Sequence, residues 1–203
     1  MITERKKVSR FLSVSLGIMF TASVLSGCGT PSRDTYDLSI GNATLEGAQK
    51  HPKIQILVEQ PDAVKALDGQ DIVVKQGGSI SYLKRAQWSD RLPDLVQARL
   101  IQAYDNSNHF GGVGRPGDGL AINYRILSDI RSFDVNVMNG HNVATLEIAV
   151  KIMDDRNGNI KAQKVFTANS PVSGTNNNQY AAALDNAFKK ITNDIVNWTV
   201  SSI

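Results

Sequence analysis

"ATLEIAVKIMDDRNGNIKAQKVFTA", Ala144–Ala168, is the stretch that decides the fold. Ala144, Leu146, Ile148, Val150 and Ile152 alternate with Thr145, Glu147 and Lys151, so an extended chain here is apolar on one side and wet on the other. The run stops at Asp154–Asn159, where Asn157-Gly158 predicts a type I′ turn, and a second strand follows over Ile160–Ala168. An antiparallel hairpin with one apolar face needs a cover. The C-terminal segment supplies it: Tyr180, Leu184, Ala187, Phe188, Ile191, Ile195 and Trp198 fall on one stripe of a helix predicted over 178–200. Asp185, Lys189, Lys190 and Asp194 lie off that stripe.

Working toward the N-terminus, Tyr124–Val137 reads as a long strand whose phase slips. Ile122, Tyr124 and Ile126 share one parity, Phe133, Val135 and Val137 the other, and a bulge between Leu127 and Ser132 reconciles them. A helix is predicted over 92–104, with Ser89 or Asp90 as its N-cap and Pro93 in its first turn, ending at the breaker cluster Asp105–Asn108. Thr35–Ile40 and Lys53–Glu59 read as strands around a loop. Asp71–Lys75 and Ile80–Tyr82 are short strands around Gly77-Gly78. The expectation is one α/β domain: a mixed sheet of about five to seven strands packed by two main helices, on one face or both.

Upstream of this domain the chain changes character. Arg5, Lys6, Lys7 and Arg10 precede the uncharged run Phe11–Leu25. Its 15 residues fall short of the roughly 20 that a membrane-spanning helix needs, but suit a secretory signal. Leu25-Ser26-Gly27-Cys28 resembles the bacterial lipobox, in which the cysteine is S-diacylglycerylated, the leader is cut before it, and the new amine is acylated with a palmitate-class chain. Cys28 is the only cysteine, so it has no disulfide partner within the chain. Several acyl chains on one residue anchor stably where a single chain does not. Residues 1–27 are thus expected to be a cleaved signal peptide, 28–35 a short lipid-anchored linker, and 36–203 the domain. Gly29 stands where lipoproteins kept at the inner membrane typically carry Asp, which points to the periplasmic face of the outer membrane.

Without residues 1–27 the chain loses four of 22 basic and one of 19 acidic residues, leaving 18 of each. A neutral domain without a basic stripe is poorly equipped for nucleic acid. Gly112-Val113-Gly114-Arg115-Pro116-Gly117 matches a dinucleotide fingerprint as a string, but it follows a helix instead of opening one, so it reads as a loop, flexible or facing a partner. Asp154–Asn159 fails as a calcium loop, because Met153 and Lys164 would occupy ligand positions. His51, His109 and His141 fall in predicted loops without a helical i, i+4 pairing. No catalytic, cofactor-binding or metal residues are therefore assigned. Trp88 and Trp198 read as core or as contacts for a partner or lipid, and Arg115 joins them as a contact candidate in its loop.

Tyr82, Trp88, Leu92-Pro93, Leu95-Val96-Gln97 and Leu100 form a Y-x5-W-x3-LP-x-LVQ-x2-L arrangement. With Tyr36-x-Leu38, Ile56-x-Val58-x-x-Pro61, Val113–Leu120 and Ile195-Val196-x-Trp198-Thr199, it resembles the ABC-type transport auxiliary lipoprotein family, the group of paraquat-inducible protein C and related lipoproteins of MCE-type lipid transporters. The resemblance implies an α/β fold and a periplasmic, membrane-anchored, non-enzymatic subunit. Its implied partners are an MCE-domain substrate-binding protein and an ABC permease and ATPase; whether it is also a homo-oligomer is open. The polar stretch Ser173–Gln179 departs from the resemblance and has no assigned contact. The alternative is a stand-alone outer-membrane lipoprotein that serves as a structural or binding factor in envelope assembly.

Overall fold

One long strand organises the sheet. The computed structural model describes residues 32–41, 48–138 and 141–203. In chain order its elements are β1 Asp34–Tyr36, β2 His51–Val58, β3 Asp62–Ala63, β4 Val73–Gln76, β5 Ser79–Tyr82, β6 Ala86–Trp88, α1 Leu92–Ser107, β7 Phe110–Gly114, β8 Tyr124–Met138, β9 His141–Asp154, β10 Ile160–Pro171 and α2 Asn177–Ser202. β8 pairs antiparallel with β9 along its whole length, and β9 with β10. The opposite edge of β8 is shared, end to end and in parallel, by β2, β3 and β4. β7 lies parallel outside β2, and β5 antiparallel outside β4. The main path β10-β9-β8-β2-β7 has five strands, as expected, and the three short segments bring the mixed sheet to eight. β1 and β6 form a separate parallel pair.

The phase slip in β8 is a bulge. Ile130 pairs with Ile148 and Ser132 with Glu147, so Arg131 is the extra residue. It lets Ile126 and Ile130 before it, and Phe133 and Val135 after it, all face the core at 1% exposure or less. Both helices cover that one face. The neighbouring positions Arg131, Lys151, Lys161, Gln163 and Val165 are exposed. α2 buries Leu184, Phe188, Ile191 and Ile195, while α1 buries Leu95, Val96, Leu100 and Tyr104. At the centre Phe133 meets the Trp88 ring edge-on at 5.7 Å, and the Phe188 ring at 6.0 Å and 47°. Such pairs add about 0.5–1.5 kcal/mol beyond the area they bury.

Local polar chemistry moves several boundaries. The N-cap of α1 is Arg91, with no side-chain capping bond, in place of Ser89 or Asp90. The Asp90 carboxylate instead accepts the Arg91 N–H, just before the helix. α1 runs on to Ser107, whose hydroxyl donates to the Tyr104 carbonyl, and stops where Asn108 turns left-handed at φ 53°. The first strand ends at Tyr36, because Asp37 folds its carboxylate back onto the Leu38 N–H and reaches Arg99. The β9–β10 turn is not type I′, which needs positive φ at both central residues. Only Gly158 is left-handed there, at φ 73°, and Asn157 spends its side chain accepting the Asn159 N–H. Part of the glycine-rich string predicted as loop is strand β7: Gly111 approaches β2 so closely that a Cβ would sit 2.2 Å from the Pro52 oxygen. Ser173–Gln179 also finds its role, for it starts α2. Asn176 and Gln179 form a reciprocal capping box, Asn177 donates to the Lys84 carbonyl, and Asn178 accepts from Tyr36.

Candidate functional site

Of the residues singled out in the sequence, Cys28 lies outside the described residues. Trp88 is a correction to the contact reading: at 1% exposure, edge-on to Phe133, it belongs to the core and offers no surface. Arg115 is exposed just after β7, in a loop held by its own N–H bonding to the Asp118 carboxylate. Trp198 is half-buried. Its ring meets Phe166 of β10 at 5.4 Å and 69°, and the two help line a groove of about 570 Å³ between β10 and the end of α2. Lys164, Thr167, Asp194 and Asn197 share the groove, and the Lys164 ammonium sits 5.0 Å from the Phe166 ring centroid. The three residues therefore occupy three separate surroundings. They do not converge on one site.

The polar groups of the domain are used for structure. His51 opens β2, stacks on Phe110 and bonds the Val200 carbonyl at 3.1 Å through Nε2. His109, between α1 and β7, is 7% exposed, with Nδ1 on the Ser107 carbonyl. His141 is exposed at the start of β9. Among the described residues, no group of three or more His, Cys, Asp or Glu is placed to hold a metal ion. Arg125 bridges Glu59 and Asp155, and both hydrogen bonds hold its guanidinium pKa above the ordinary value. Burial pushes the Asp37 carboxyl up, but Arg99 and the Leu38 N–H outweigh it and leave the pKa low. The Tyr104 hydroxyl is buried between α1 and α2 against Thr199 Oγ1 at 2.9 Å, and burial pushes its pKa up, opposed in part by that hydrogen bond. Asp134, 2% exposed, is matched by Lys75 at 2.7 Å. None of these pairs a nucleophile with a base beside a cavity.

A different surface draws the start of the domain to itself. The Asp34 N–H donates to the Arg85 carbonyl, β1 runs beside β6, and Arg33 bonds both Asp71 and the Ala86 carbonyl. The adjoining segment Ser79–Arg85 is exposed at every position except the half-buried Leu83. Ile80 is 52% and Tyr82 47% exposed. They lie on β5, an outer strand of the sheet.

Among the described residues, no helix is long and apolar enough to cross a membrane. The chain is 28% identical over 188 residues to uncharacterized protein bll6063 of Bradyrhizobium diazoefficiens, an alignment covering 92% of this chain and 50% of that protein. The chain thus spans about half the length of that curated relative. In fold it is similar to protein XCC0632 from Xanthomonas campestris, of family DUF330, at a TM-score of 0.78 and 23% identity, covering 83% of this chain and 95% of the other. The hypothetical protein CT253 from Chlamydia trachomatis matches more distantly, at a TM-score of 0.52 and 8% identity over 73% of this chain and 97% of the other. The family described as the ABC-type transport auxiliary lipoprotein component matches residues 36–196, nearly the whole described domain. The chain belongs to that family.

Proposed function

We propose that this protein is a non-catalytic auxiliary component of an MCE-type ABC transporter that moves lipid between bacterial membranes. In this reading Cys28 carries acyl chains that hold the domain at the periplasmic face of the outer membrane. The observation that carries the reading is the family match over residues 36–196 directly behind Leu25-Ser26-Gly27-Cys28. The permease, ATPase and MCE-domain protein are its partners, and the ATPase provides the energy. The domain provides position. The groove beside Trp198 is open and lined with Lys164, Thr167, Asp194 and Asn197, a surface suited to protein contact more than to holding an acyl chain. The family's description as an auxiliary component supports a non-catalytic role.

Crosslinking in intact cells, followed by mass spectrometry, tests this. The acylated chain should yield adducts to an MCE-domain or permease protein, and Cys28→Ala should lose both acylation and adducts. Adducts to peptidoglycan-linked or outer-membrane proteins alone would favour the stand-alone envelope factor.

A further inference from the structure

Tether length restricts which part of the domain meets the bilayer. Arg33 is fixed to Asp71 and to the Ala86 carbonyl. Cys28 lies five residues before it, a reach of at most about 18 Å at full extension. A chain anchored at Cys28 therefore keeps the β1–β6 pair close to the lipid surface. Ser79–Arg85 adjoins that pair, since the Arg85 carbonyl accepts the Asp34 N–H. Arg85 takes φ 59°, a conformation uncommon for a residue with a side chain.

The chemistry of this segment fits a lipid interface. Ile80 and Tyr82 are exposed and lie on one face of β5. Tyrosine suits the interface, with an apolar ring and a polar tip. Lys84 and Arg85 are exposed, and among the described residues neither faces a carboxylate at ion-pairing distance. Arg33, Arg91, Arg99, Arg125, Arg131 and Arg156 all do. Two apolar side chains beside two cations that have no ion-pair partner among the described residues, within reach of the anchor, make a second attachment point whose local concentration at the membrane the tether keeps high.

We propose that Ser79–Arg85 is a membrane contact that orients the anchored domain: Ile80 and Tyr82 enter the bilayer interface, and Lys84 and Arg85 bind its anionic phosphate headgroups. This rests on acylation of Cys28.

The test uses the full chain, acylated in bacteria and reconstituted into vesicles of phosphatidylethanolamine and phosphatidylglycerol. Because Cys28 is the only native cysteine, Ile80→Cys, Tyr82→Cys and Val165→Cys each give one labelling position for an environment-sensitive fluorophore. Val165, 46% exposed on β10, is the control. The expected result is strong quenching by lipids with brominated acyl chains at positions 80 and 82, and weak quenching at 165. Lys84→Ala and Arg85→Ala should each shift the docked-to-undocked equilibrium about fivefold toward undocked. If positions 80 and 82 are quenched no more than 165 on an acylated, vesicle-bound chain, the contact is wrong and the anchor stands. If mass spectrometry finds Cys28 unacylated, the anchor falls and takes this contact with it. A photocrosslinker at position 80 that traps an envelope protein, with no quenching in vesicles, would overturn the bilayer as occupant in favour of a protein.

Discussion

Replacing Phe133 by alanine should remove about 4 kcal/mol of stability. Phe133 follows the bulge of β8, is 1% exposed, and joins the aromatic residues of β6 and α2. A buried Phe→Ala change costs about 3–5 kcal/mol, part transfer and part unfilled cavity. The upper part of that range is expected, because Trp88 and Phe188 are large rings held from opposite elements and neither can collapse far into the space. Against a total of roughly 5–15 kcal/mol, that is a large fraction of the folding free energy. For a domain of this size it should lower the melting temperature by roughly 8–16 °C. Guanidinium unfolding of the chain from Gly29 onward, with calorimetry, measures both quantities. Phe133→Leu, which keeps most of the volume, should cost about 1 kcal/mol. A double-mutant cycle of Phe133→Leu with Phe188→Leu should show coupling of about 0.5 kcal/mol or more. A loss below about 1.5 kcal/mol for the alanine, or strict additivity in the cycle, would refute the idea that Phe133 locks the bulged strand to both layers.

Asn176→Ala, which removes the capping box of α2, should cost about 1 kcal/mol and speed amide exchange in the first turn of that helix. Thr199→Val should destabilise more than Tyr104→Phe: the first strands a buried hydroxyl, whereas the second leaves Thr199 bonded to the Ile195 carbonyl. Equal costs would show that the pair is not worth a hydrogen bond. The Tyr104 hydroxyl has its pKa raised in the folded state, so its contribution is intact below the ordinary tyrosine range and is lost as pH climbs above it. Spectrophotometric titration should therefore find Tyr104 ionising only with alkaline unfolding, and Tyr104→Phe should move that unfolding to higher pH. Gly111→Ala should loosen β7 from β2, because the clash is with the Pro52 backbone and no side chain can swing away; exchange protection at Gly112–Gly114 reports it.

Much of the architecture was legible because hydrophobic periodicity records which face is dry. The alternation in β9 and the stripe of α2 were readable on that basis, and so was the bulge, since a parity change inside one apolar strand has few other physical solutions. Polar and glycine-rich segments carried less. β7 is Phe-Gly-Gly-Val-Gly, and its reason to exist is a close backbone approach that leaves no mark in hydrophobicity. Asn176 and Gln179 lie three apart in a run of polar residues, so the spacing of a capping box was present but hidden among equivalent amides. The Asn157-Gly158 turn shows the same ambiguity, for the asparagine side chain had a local hydrogen bond available that competed with a left-handed backbone. The surface was least legible. Trp88 and Trp198 look alike in sequence, and only packing distinguishes the buried one from the one at a groove. Lys84 and Arg85 stand out only after six of the other arginines are seen to be paired.

The shared edge of β8 sets an order of events during folding. Ile56 must wait for Tyr124, and Val73 for Asp134, before either acquires its parallel neighbour on β8, although β2 can already meet β7 and β4 its hairpin partner β5. Closing such long loops is entropically unfavourable until the receiving strand exists. On the proposed route, with acylation at Cys28 after export, the leading segments emerge before the strand that joins them into one sheet. The longest local pairing, the meander of β8, β9 and β10, lies near the trailing end. The main sheet can close only once that end is available, so an N-terminus-first passenger lacks its central pairing until most of it has emerged.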